Sequence, residues 1–425
     1  MGTEFNWFSG VAEIAAPCPP GLAADRGLQP FFEAPNAPEW GAALPRWLYH
    51  ECLHFWQLAS SRYLQLIVVA EWERVFAFER DRALPRGARY AYGSVGAGEP
   101  FSVRDLVECL ARFWDVHTRG ATRILCEEDN DLDGRLALID AVRYEGGYSS
   151  EEFDGVMRSG RDREVYARPY HWMRERAAAA PAVRELPGSM ESATSWAVNL
   201  LLPIAGFVAL NTEAPVAAFV AAFDRGLSPD GIGIAAGRRD RRLSINLDWL
   251  DFWPVLAPGL ARAVRRIGLH TWLGTAGYGV LENPALSAHP VYRHLTSRMN
   301  ALNDVLRNMR ANRVFNPPRD DSGNIGDAFL LRELAITRQD YWPVFSLPGQ
   351  PNFRLLLGSL FAPPLVRFDD AEIPATASTL SEWPWPVDGP TLANAVHQSE
   401  ARLCALRNAE AAARFGVPLD AFVRA

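Results

Sequence analysis

The stretch W-L-Y-H-E-C-L-H-F-W-Q, residues 47–57, carries His50, Glu51 and His54 in the order H-E-x-x-H. An α-helix turns once every 3.6 residues, so positions four apart lie on one face. Wound as a helix, the stretch points two imidazoles in one direction and sets Glu51 beside them. Two neutral nitrogens can hold a zinc ion, and a carboxylate next to them can take a proton from a metal-activated water. The bland reading is two helix histidines with a salt-bridging glutamate between them.

Working outward, the surroundings favour a helix. Trp47, Leu48, Phe55, Leu58, Leu66, Val69, Trp72 and Phe76 recur at helical spacing from Pro45 to about Arg82, with a break expected near Ser60-Ser61. Pro45 suits a first turn, where its missing N–H costs nothing. Ser102, with Asp105 three residues on, reads as a capping-box-like start to a further helix through Leu106, Leu110 and Phe113. Gly188-Ser189 opens another, which Pro203 is expected to kink or end. Helical patterns also cover 214–225, 254–268, 288–310 and 391–414. The best strand candidates are 243–250 and 354–361.

The expected fold is therefore mainly α, with α+β as the alternative. Residues 1–44, rich in Pro, Gly and Ala, read as an irregular arm. Residues 45–425 read as a single compact domain, with a lobe boundary near 230–245 where the composition shifts.

Composition removes several function classes. The 43 basic residues are all arginine, so Schiff-base, P-loop and kinase-type lysine chemistry is excluded. A net charge of −7 without a long basic run speaks against nucleic acid. No apolar run approaches the roughly 18 residues of a membrane span. The five scattered cysteines form no C-x-x-C pair, and a cytoplasmic location is expected. No G-x-S-x-G is present. A ferritin-like di-iron site needs a second E-x-x-H, and none of the other six histidines has an acid three residues before it.

The segment Y-H-E-C-L-H-F-W-Q, with Gln57 completing H-E-x-x-H-x-x-Q, resembles the active-site helix of gluzincin-like zincin metallopeptidases. The resemblance covers about a dozen residues. It implies a zincin-like helical core and hydrolysis of a peptide or small amide, with zinc on His50 and His54 and Glu51 as general base. It also implies a third ligand, a glutamate from a downstream helix. Glu191 in G-S-M-E-S-A-T-S-W-A matches best, although it stands 137 residues beyond His54, farther than is usual. Glu71, Glu73, Glu127 and Glu128 compete with it. The family's oxyanion-stabilising Tyr or His points to the 270–294 segment, with His270 and Tyr278 as catalytic candidates beside His289, Tyr292 and His294. Two histidines and a glutamate are equally the facial triad of a non-haem Fe(II) oxygenase that uses 2-oxoglutarate, which stands as the alternative function.

Overall fold

The computed structural model describes residues 4–22, 27–28, 38–40, 43–87, 90–113, 148–158, 164–186, 188–210, 212–232, 365–374 and 389–416. Within them the protein is mostly helical with a few short strands. The strand candidates 243–250 and 354–361 lie outside them, as do the helical patterns at 254–268 and 288–310 and the boundary region beyond 232.

The N-terminal arm is not irregular throughout. Glu4–Asn6 (β1) and Val11–Ile14 (β2) form an antiparallel hairpin. The Asn6 side chain holds its turn by accepting hydrogen bonds from the Phe8 and Ser9 backbone N–H groups, and Gly10 takes a φ of 73°. The first long helix, Ala43–Ser60 (α1), carries the H-E-x-x-H segment and packs on both strands of this hairpin.

The break at Ser60-Ser61 is present. The extended Ser61 caps Arg62–Asp81 (α2), its Oγ accepting from the Leu64 N–H and donating to the Leu210 carbonyl. One hydroxyl thus satisfies a helix start and ties two remote segments together. The next helix, described over 103–113 (α3), opens on a reciprocal cap. The Ser102 N–H donates to Asp105 Oδ2 at 2.9 Å and the Asp105 N–H donates to Ser102 Oγ at 3.2 Å.

Tyr148–Arg158 (α4), Glu164–Ala179 (α5), the short Pro181–Arg184 (α6), Met190–Leu210 (α7) and Pro215–Gly226 (α8) follow. Ser189 caps α7 through the Ser192 N–H. Pro203 does not end α7, which runs on to Leu210; packing against α5 and α8 accompanies it through that point. Helix α7 approaches α3 closely at Gly206, where a Cβ would stand 2.6 Å from the Leu110 side chain. Glycine at that point lets α3 lie where it does.

Leu365–Phe368 (β3) and Glu372–Pro374 (β4) complete one sheet of order β1-β2-β3-β4. Strand β2 pairs in parallel with β3, Val11 opposite Leu365 through Ile14 opposite Phe368. Val11, Ala12, Ile14, Leu365, Val366 and Phe368 are buried, as the two central strands of such a sheet require. Gly389–Phe415 (α9) packs on α2 and β4. Among the described residues no helix is long and apolar enough to cross a membrane.

Candidate metal centre

Helix α1 buries the face that carries His50, Glu51, His54 and Gln57, with exposures of 5%, 1%, 2% and 0%. Burying four polar side chains on one stripe is costly unless each finds a partner. Gln57 is held at both ends. The Val107 carbonyl can only accept, so the Gln57 amide nitrogen faces it, at 2.8 Å. That turns the Gln57 carbonyl oxygen to His54, whose Nδ1–H donates to it at 2.8 Å. With a proton held on Nδ1, the Nε2 looks away from Gln57, and it offers a lone pair whenever the ring is neutral, as it would be on a metal.

It looks toward Glu108. Helix α3 is apolar around this residue, with Leu106, Val107, Cys109, Leu110 and Ala111 all buried. Glu108 Oε2 lies 3.3 Å from His50 Nε2 and 3.4 Å from His54 Nε2. Each residue offers one ligand atom, and all three atoms lie within 4.8 Å of one another. The His50 and His54 rings meet edge to face, 4.7 Å apart.

The separations fit a chelate better than a salt bridge. A charge-assisted N–H···O bond is usually about 2.7–2.9 Å. Two donors each about 2.0–2.1 Å from one tetrahedral zinc stand about 3.3 Å apart. Burial acts against a charged His54, yet the Glu108 carboxylate, its hydrogen bond, the Glu51 charge and Gln57 outweigh it and raise the pKa to about 9. Burial likewise acts against ionised Glu108, and the two imidazoles overcome it, holding the carboxyl well below its usual range. Among the described residues, the ionic partners of Glu108 are those two histidines. A carboxylate only 16% exposed and facing imidazoles rather than arginine is a donor set that could hold a divalent cation.

The hairpin roofs the cluster. Trp7 stands edge-on to His54 with ring centres 5.3 Å apart, and Phe5 lies 6.2 Å from the same ring. Phe8 anchors this turn by stacking on Trp72 at 4.1 Å. The Trp7 indole N–H donates to the Tyr92 hydroxyl. Burial first, then the charge of Glu108, holds the Tyr92 phenol well above its ordinary pKa, so it remains a hydrogen-bond donor.

The structure brings His50, Glu51, His54 and Gln57 together as the spacing predicts, but it does not bring Glu191 to them. Glu191 is exposed in the first turn of α7, ion-paired with Arg158 of α4. Glu71 and Glu73 point elsewhere on α2: Glu71 pairs with Arg74 at 2.8 Å and Glu73 is exposed. The position expected for Glu191 is taken by Glu108, 58 residues after His50. One signal could have found it: Glu108 is the single acid in the buried run L-V-E-C-L-A, and a carboxylate there needs a partner. His270 and Tyr278, with Glu127 and Glu128, lie outside the described residues. Tyr92 is the described phenol nearest in effect to the cluster, and its loop sequence, A-Y-G-S, gave no hint of it.

No family model, no curated protein and no solved structure matches the chain.

Proposed function

We propose that the protein is a zinc-dependent hydrolase of a peptide or related amide bond. His50, His54 and Glu108 would hold the metal, and Glu51 would act as general base. The observation that carries the reading is the convergence of His50 Nε2, His54 Nε2 and Glu108 Oε2 at chelate spacing, beside a buried Glu51 on the same helix. A zinc ion in that donor set supplies a Lewis acid that brings the pKa of water to about 7.

The chain's own residues account for the rest. Gln57 fixes the His54 tautomer and ties α1 to the residue before Glu108. Glu51 follows His50 by one residue, about 100° round the helix, and its charge already bears on His54. Its carboxylate takes the proton from the attacking water and returns it to the leaving nitrogen. An intact acid at this place supports a reaction rather than a purely structural zinc, which needs no base. Tyr92, kept protonated and in ring contact with Trp7, which itself faces His54, is a candidate donor to a developing oxyanion.

Elemental analysis of protein purified without added metal tests the first half. Zinc near one per chain supports the hydrolase; iron, with turnover of 2-oxoglutarate, would replace it with an oxygenase on the same triad. For the second half, Glu51→Gln should keep the metal and lower peptide hydrolysis by about 100-fold or more. Full activity in that variant would remove Glu51 as the base.

A further inference from the structure

A cleft of about 1220 Å³ opens between the hairpin, α2, β3 and α9, with Trp7 and Tyr92 in its wall and none of His50, His54 and Glu108 among its described lining residues. Drug-sized ligands occupy about 300–1000 Å³, so the space admits several residues of an extended peptide. Trp7 and Phe5 both line it and both face the His54 ring, at 5.3 and 6.2 Å, so these two side chains stand between cleft and cluster.

Its charge is uneven. Glu4, Glu13, Glu71, Glu400 and Glu410 line it. Three arginines oppose them, and each is already engaged. Arg74 pairs with Glu71 and Glu410, and Arg407 with Glu71. Arg367 is gripped by Glu13 and Glu400, both at 2.8 Å, and by Glu372. The Glu4 carboxylate, exposed on β1, has no hydrogen-bond or ion-pair partner among the described residues. Among the described lining residues, five carboxylates against three occupied guanidinium groups leave the wall negative, with Glu4 unspent and its charge felt at Tyr92.

We propose that this cleft binds the basic portion of an extended peptide substrate, whose scissile bond passes Trp7 to reach the His50–His54–Glu108 cluster. The inference rests on the hydrolase reading and adds the substrate class: a peptide with arginine or lysine side chains to one side of the cleaved bond. Glu4 is the specificity-determining residue, and Trp7 with Tyr92 is the threshold between binding and chemistry.

Three end-blocked, dye-labelled octapeptides differing only in two arginines, two glutamines or two glutamates test it. Binding is read by fluorescence anisotropy on zinc-loaded Glu51→Gln protein, so that cleavage cannot intervene. The arginine peptide should bind about fivefold or more tighter than the glutamate peptide at low salt. That ratio should shrink toward one in Glu4→Gln, and also in wild-type contacts at about 0.5 M salt, where exposed charges are screened. Equal affinities for the three peptides, or a ratio that neither the substitution nor salt reduces, would overturn the proposal. Turnover by the unsubstituted protein separates the two readings. Charge-selective binding without cleavage removes the hydrolase and leaves the cleft; cleavage without charge selectivity removes the cleft and leaves the hydrolase.

Discussion

Glu108 in α3 and Asp154 in α4 are acids on helices that meet through Phe113 and Phe153, whose rings stand 5.3 Å apart. Their surroundings drive them in opposite directions. Asp154 accepts from the Tyr170 hydroxyl at 2.8 Å and has Arg174 and Arg158 each 3.6 Å away. Burial still raises its pKa above the ordinary value, against those partners. Glu108 has no arginine among its ionic partners in the described residues, yet its pKa falls. Asp154 is satisfied by donors the chain itself provides and forms a closed polar network. Among the described residues Glu108 is matched with two imidazoles that could themselves ligate a metal, their nitrogens 3.3 and 3.4 Å from its Oε2. The contrast sets a carboxylate that holds the scaffold against one whose surroundings suit the cation proposed for it.

Removing each acid or its partner should therefore cost different things. The largest effect is expected from Glu108→Ala, which deletes one of the three proposed ligands. Zinc affinity should fall by more than about 100-fold, beyond the range usual for outer-shell losses, and hydrolysis should vanish with the metal. Unchanged zinc stoichiometry after dialysis against a mild chelator would remove Glu108 from the centre. Gln57→Ala should act one step back. It leaves all three ligands but frees the His54 ring to change tautomer, so metal affinity should fall about 10- to 100-fold, read by competition with a chromogenic chelator. No change would mean that packing by Phe5 and Trp7 alone orients His54.

What the sequence made legible was local. The His50–Glu51–His54 spacing, the break at Ser61, the Ser102–Asp105 cap and the Ser189 cap each follow from residues within four positions of one another, and the structure contains them all. The third ligand and the sheet depend on pairings across the chain. Strands of three or four residues are too short to show alternation, and β2 meets β3 more than 350 residues away, as in the Glu13–Arg367 pair. Glu191 drew attention because a helix start with small neighbours resembles a ligand helix. That pattern says where a helix begins and nothing of which face meets α1. Glu108 sits in a run whose apolar periodicity concealed its one acid.

On the Asp154 side of the comparison, Tyr170→Phe removes only a hydroxyl from a fully buried ring. Asp154 Oδ1 then loses the donor held at 2.8 Å, and unfolding should become easier by about 1–3 kcal/mol. Zinc content should not move. Loss of metal in this variant would show that the two helices are energetically one unit and that the distinction between scaffold acid and ligand acid is false.

The smallest effect belongs to Glu191. Its side chain is 61% exposed and its partner Arg158 is 44% exposed. An exposed ion pair contributes about 0–1 kcal/mol, because water screens it and two long side chains must be held still. A place in the first turn of α7 adds a favourable interaction with the helix dipole of about 0.3–1 kcal/mol. Glu191→Ala should thus lower stability by at most about 1–2 kcal/mol and leave zinc stoichiometry and hydrolysis untouched. The value of the variant lies in its pairing with Glu108→Ala. If Glu191→Ala lost the metal and Glu108→Ala kept it, the α7 helix start would have to swing toward α1 in solution, breaking the Arg158 pair. Calorimetry and metal analysis on the two proteins, side by side, distinguish that arrangement from the one in which α3 supplies the ligand.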